Sequence, residues 1–241
     1  LYGLLPFMHA TKQAGIHAVI GLSIRVQFAD NVSLPLVLYA KNQAGYKSLL
    51  KISSAVAIRE DEMLPWRWLA SYATGCVAVV PALDEQCAWL RGDVQPFLHD
   101  LKALFKEQLY IGISRKIQAA PEEELAEQLA HTVGSTIIAL HESTFLHPED
   151  HFAYEVARAI DTGVKLGESL QGNKSKHQFV PTAQAFYALF KGREQWLENT
   201  RSLLLSCRVE LSFGQTFMPK FPLTEGETAE EVLYKRASAG L

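Results

Sequence analysis

Five short apolar runs, each separated from the next by helical patterning, constrain this 241-residue chain most. They lie at residues 16–26, 36–40, 76–80, 109–114 and 136–140, and helices are read at 42–57, 66–72, 84–90, 94–105 and 121–133. The runs are apolar throughout rather than alternating, the pattern of strands covered on both faces. Strands alternating with helices argue for a parallel sheet or barrel, joined by right-handed crossovers. The five strands are therefore expected to be parallel neighbours in one α/β sheet. Local signals fill in the rest. A helix over 4–14 ends at Gly15, a C-cap glycine. Asn42 caps the 42–57 helix, with Leu49, Leu50 and Ile52 on its inner face. Residues 31–35 read as a turn, 59–65 as a polar loop, and Pro81 as the stop of the third strand.

Nearly half the residues are hydrophobic (48%), enough for a sizeable core, and the formal net charge of −3 gives no basic excess for gripping nucleic acid. Cys76, Cys87 and Cys207 show no CxxC spacing, which fits free thiols in a reducing, cytoplasmic setting. No apolar run approaches the roughly 20 residues a membrane helix needs. The chain opens on Leu1 rather than Met and is read as part of a longer one.

The stretch 136–163 concentrates candidate chemistry. The last strand ends in His141-Glu142, and His147 and His151 bracket Pro148-Glu149-Asp150. A His and a Glu at a strand end, with two more His close behind, suit a metal or acid/base site. The same residues also suit a simple helix start, with Pro in the first turn and acids favoured by the dipole. Further on, 183–190 and 194–205 read as helices, 209–213 as a last strand, 216–222 as an extended connector and 228–239 as a final helix. Trp66, Arg67 and Trp68 read as rim packing, Arg115-Lys116 as solvated surface, and Glu122 to Glu124 as a helix-start charge cluster. No GxxxxGK[ST] phosphate loop occurs.

Several phrases in register resemble one family. LYGLLPFMHATKQAGIHAVIGLSI, PLVLYAKNQAGYKSLLKISSA, ALHESTFLHPEDHFAYEVARAIDTG, FMPKFP and YKRASAGL are similar, in this order, to segments of the amino-terminal PHP (polymerase and histidinol phosphatase) domain of bacterial DNA polymerase III alpha subunits. The resemblance implies a distorted seven-stranded (β/α) barrel over 1–215, lacking its first two strands, and a connector into the polymerase domain over 216–241. Two strands and a helix would precede Leu1 and carry further metal-binding histidines. The strand at 16–26 would then have an open edge, to be covered by another segment or another copy.

Active PHP domains gather His, Asp and Glu at strand ends to hold three metals that activate water. Matched onto this family pattern, Ser23 stands where metal-binding relatives carry Glu, Lys116 where they carry His, Glu142 at an Asp position and Thr144 at a His position; Ala82 lies in a stretch that is Ser-Gly-Cys-like in relatives. Only Glu142 keeps a ligand type. The resemblance thus implies a catalytically silent PHP domain with a structural and interaction role and no metal of its own. Lys116 is then placed to pair with Glu142 in the vacated site. The alternative is an active metal-dependent phosphoesterase or exonuclease using His141, Glu142, His147 and His151. A third reading is an unrelated barrel enzyme. The expected partners are the remaining polymerase domains, a proofreading exonuclease subunit and, for the full-length protein, primer–template DNA with Mg2+. No membrane partner is expected.

Overall fold

The structure is a computed structural model that describes residues 3–29, 32–82, 94–115, 122–166, 175–214 and 221–240. It forms two compact units, Leu1–Val209 and Glu210–Leu241.

In the first unit the strands are β1 (Gly21–Ala29), β2 (Val32–Ala40), β3 (Met63–Pro65), β4 (Cys76–Ala82), β5 (Leu109–Ser114) and β6 (Thr136–Leu140). They make one sheet in the order β3-β1-β2-β4-β5-β6. Its right half follows the sequence reading: β4, β5 and β6 are parallel, with Ala78 opposite Leu109 and Tyr110 opposite Thr136. The left half corrects it. β2 runs antiparallel to both β1 and β4. Residues 30 and 31 are all that separate β1 from β2, and so short a connection reaches only an antiparallel neighbour. The Asn and Pro of 31–35 predict a turn, yet Pro35 sits inside β2 opposite Arg25. Pairing of β2 with β4 covers only Val37 to Ala40, so Pro35 lies outside that ladder.

Two further expectations are corrected. Pro81 does not stop β4; it pairs with Gly112, and the strand runs to Ala82. Within the supposed loop 59–65, Met63–Pro65 forms β3, parallel to Arg25–Gln27 of β1. Another segment therefore covers the outer side of β1, as an open edge requires. Residues 209–213 join no ladder among the described residues.

The helices are α1 (Leu4–Gln13), α2 (Gln43–Ala57), α3 (Trp66–Tyr72), α4 (Gln95–Phe105), α5 (Glu122–Val133), α6 (His151–Thr162), α7 (Ala183–Leu189) and α8 (Glu194–Ser206). The expected helix at 84–90, like Cys87, lies outside the described residues. Asn42 caps α2 by accepting from the Gly45 N–H at 3.1 Å. Leu49 and Ile52 are fully buried, whereas Leu50 points outward, correcting its inner placement. α2, α4 and α5 lie over one sheet face, where Leu36, Leu38, Val80, Ile111, Leu98, Leu101 and Leu129 are buried.

The opposite face carries Val77, Val79 and Ile138, closed by Leu203 of α8 and by Cys207. α8 is also hydrogen-bonded to the edge strand: Asn199 Nδ2 donates to the Ile137 carbonyl and Thr200 Oγ1 to the Ala139 carbonyl, each at 2.8 Å. These two bonds occupy carbonyls that an open edge would leave bare. Trp66 stacks on Phe28 at 5.0 Å, the expected rim packing. Arg115 and Glu123, read as surface charges, are instead buried against each other.

The thiol of Cys76 faces α2, 3.7 Å from the Gly45 carbonyl, and burial pushes its pKa up to about 12. Cys76 should therefore resist a thiol reagent at pH 8 in the native protein and react once unfolded. A thiol whose folded pKa exceeds its ordinary value near 9 stays protonated in the fold while the unfolded chain ionises. Its linkage leaves stability unchanged below about pH 9 and lowers it progressively from about pH 9 to 12. Urea titrations across that range, against Cys76→Ala, measure the effect.

In the second unit, α9 (Ala229–Ala239) is the helix expected at 228–239. Thr228 and Glu231 close a capping box at its start, and the Arg236 guanidinium lies 4.9 Å from the Phe221 ring.

Candidate functional site

Strand alternation places Ser23 and Arg25 on the same side of β1, opposite Val37 and Pro35 of β2. Beyond β2, Pro81 near the end of β4 and Glu142 just after β6 face the same space. The pairing of Arg25 with Met63 brings the preceding acids, Asp61 and Glu62, alongside. Together these residues line a cleft of about 420 Å3. The sequence reading foresaw Ser23 and Glu142 as matched ligand positions, and the fold brings them together. It missed Arg25, Asp61 and Glu62, because only the three-residue β3 puts that loop beside β1.

Three charged groups of the cleft, Asp61, Arg25 and Glu142, have hydrogen-bond partners. Asp61 accepts from Arg59 Nε at 3.0 Å and Nη2 at 2.9 Å, and from the Met63 N–H at 3.1 Å. The Arg59 bonds, then the Met63 amide, hold its carboxyl below the ordinary carboxylate value. Glu62 adopts a left-handed backbone with φ 51°, uncommon for a residue with a side chain. Arg25 donates to Ser33 Oγ at 3.0 Å. Glu142 accepts from Gln178 Nε2 at 2.9 Å and is exposed.

The other candidate residues go elsewhere. His141 and Glu142 line separate cavities. The His141 Nε2–H donates to the Phe179 carbonyl at 3.0 Å, and the ring meets Phe186 edge-on. It lines a second, mainly apolar cavity of about 440 Å3 with Tyr39, Leu140, Phe186 and Leu203. Thr144 is tied through its backbone N–H to the Gln178 carbonyl at 2.7 Å. Ala82 is buried.

His147 and His151 flank a 3-10 turn, Pro148–Asp150, that leads into α6. The His147 N–H donates to Asp150 Oδ2 at 2.9 Å, and His151 packs edge-on against Phe145. The helix-start reading of this stretch therefore holds. Among the described residues, no three His, Cys, Asp or Glu side chains are grouped to hold one metal ion. Lys116, and with it the expected pair with Glu142, lies outside the described residues. No described helix is long and apolar enough to cross a membrane.

Comparison with known proteins gives this geometry its context. The whole chain is similar to DNA polymerase III subunit alpha of Halalkalibacterium halodurans, with 30% identity over 250 residues. It is 29% identical to that of Bacillus subtilis over 259 residues and 27% identical to that of Buchnera aphidicola over 256. In each case it spans 22% of the relative's length. A family match, described as PHP domain, covers residues 1–138, which include β1 to β5 and the first half of β6. The fold is thus that of a mixed α/β domain of the PHP type, and the chain belongs to the PHP domain family.

Proposed function

We propose that this chain is the PHP portion of a replicative DNA polymerase III alpha subunit, and that its PHP domain is catalytically silent. The observation that carries the second part is the make-up of the cleft. A catalytic zinc takes about three protein ligands, and a three-metal cluster needs more. At the matched ligand positions the cleft offers Glu142 and a serine hydroxyl, Ser23, which is a poor substitute for a carboxylate. Asp61 is neutralised by Arg59, and the Arg25 guanidinium lies in the same cleft, where its charge opposes a cation. Glu62 adds one further carboxylate, and Glu142, Ser23 and Glu62 remain too few donors for a three-metal centre. The alternative phosphoesterase would need His141, His147 and His151 beside Glu142, whereas His141 lines the apolar cavity and His147 and His151 lie at the entry to α6.

In this reading residues 1–215 serve as a structural and docking module, and 216–241 connect to the polymerase domains. Primer–template DNA and Mg2+ belong to those domains of a cytoplasmic enzyme, and a proofreading exonuclease subunit is a further partner. The test is hydrolysis of bis-p-nitrophenyl phosphate with Mn2+, for the protein and for Glu142→Ala. Both should remain at the metal-only background. Manganese-dependent turnover that disappears in Glu142→Ala would overturn the silent reading.

A further inference from the structure

Helix α6 leaves the largest side chains of its apolar side, Phe152 and Ile160, exposed. At about 3.6 residues per turn, Phe152, Val156, Ala159 and Ile160 share one side, flanked by Ala153 and Ala157. His151, Tyr154, Glu155 and Arg158 share the other. An amphipathic helix ordinarily buries the apolar side. Here the polar side makes ring contacts as well: Phe145 packs on the rings of His151 and Tyr154 at 6.0 and 5.5 Å. Glu155 and Arg158 are half-buried, as are Val156 and Ala159, while Phe152 and Ile160 are 67% and 77% exposed. Leu146 just before the helix, and Val164 and Leu166 just after it, are exposed as well.

We propose that this stripe is the docking surface for another domain of the same polypeptide, one that presents an apolar face to α6. The inference rests on the reading of the chain as part of a polymerase alpha subunit, a protein of which the chain spans only 22% in its relatives. Size selects this occupant over a free protein or a second copy. A stable interface between separate proteins takes about 20 to 30 residues a side. The stripe and its extensions expose five large apolar side chains, Leu146, Phe152, Ile160, Val164 and Leu166. A tethered domain needs less, because a covalent link supplies an effective concentration in roughly the millimolar range.

The test is hydroxyl-radical footprinting of the full encoded polypeptide, with primer extension measured on the same sample. Phe7 and Ile58, 50% and 78% exposed, serve as internal references of the same residue types. Phe152 and Ile160 should oxidise at least about fivefold more slowly than these references, at every protein concentration, and Ile160→Asp should restore the reactivity of Phe152. Equal rates in a polypeptide that extends primers would overturn the docking surface and leave the polymerase reading intact. Protection lost on dilution would also overturn it, since the occupant would then be a second copy. Failure to extend a primer would overturn the polymerase reading itself.

Discussion

Replacing Glu123 with alanine is expected to destabilise the protein by about 3–5 kcal/mol, the range for breaking one side of a buried ion pair. Arg115 and Glu123 are 9% and 5% exposed. The guanidinium donates Nε to Oε2 at 2.9 Å and Nη2 to Oε1 at 2.5 Å. Its Nη1 donates to the Leu189 carbonyl at 3.0 Å, and its Cζ lies 5.5 Å from the centroids of both the Phe190 and Trp196 rings. The pairing with Glu123 raises the pKa of Arg115 above its already high value, so it stays charged. Without Glu123 a permanent cation is left in an aromatic pocket at the junction of β5, α5, α7 and α8. For a chain of this size the melting temperature should fall by roughly 10 °C or more. A double variant, Arg115→Met with Glu123→Leu, removes both charges and should recover most of the loss. Denaturant titrations of the three proteins decide the matter; a loss below about 1 kcal/mol in Glu123→Ala would show that the pair is dispensable.

Gly45→Ala is expected to be comparably damaging, by about 3–4 kcal/mol, through steric conflict rather than charge. A Cβ on Gly45 would stand 2.0 Å from the Gly75 carbonyl oxygen and 3.2 Å from the Ala40 Cα. That carbonyl cannot easily withdraw, because it accepts the Lys41 N–H at 2.9 Å, and Gly75 itself is held at φ +74°. The first turn of α2, the end of β2 and the entry to β4 meet at this point with backbone against backbone. Gly134→Ala is the control. Its φ is +66°, but nothing lies within 4 Å of the new methyl, so only the left-handed conformation is penalised, by about 1–2 kcal/mol. Equal effects at the two glycines would refute the close-approach account.

The two predictions also mark where sequence reading succeeds and stops. β5 and β6 are legible to the residue, because each is a short apolar run bounded by polar residues. Asn42 is legible because capping is local chemistry. β3 is not, since three residues carry no period. The antiparallel half of the sheet is hidden by Pro35, which signals a turn when read locally and is accommodated by a ladder that stops short of it.

The cleft is half legible. Ser23 and Glu142 are recognisable from the family phrases that contain them, whereas Arg25, Asp61 and Glu62 meet only through the β1–β3 register. Arg115 and Glu123 read as surface residues because a charge normally marks exposure. Their partnership joins the end of a strand to a helix, a tertiary contact that no local spacing announces.

The central claim, that the cleft below Glu142 holds no multi-metal centre, is tested most directly by anomalous scattering from crystals soaked in manganese. The account predicts no Mn2+ ion held jointly by Glu142 and a second protein ligand. Two or more ions bound at the cleft through Glu142 would contradict it.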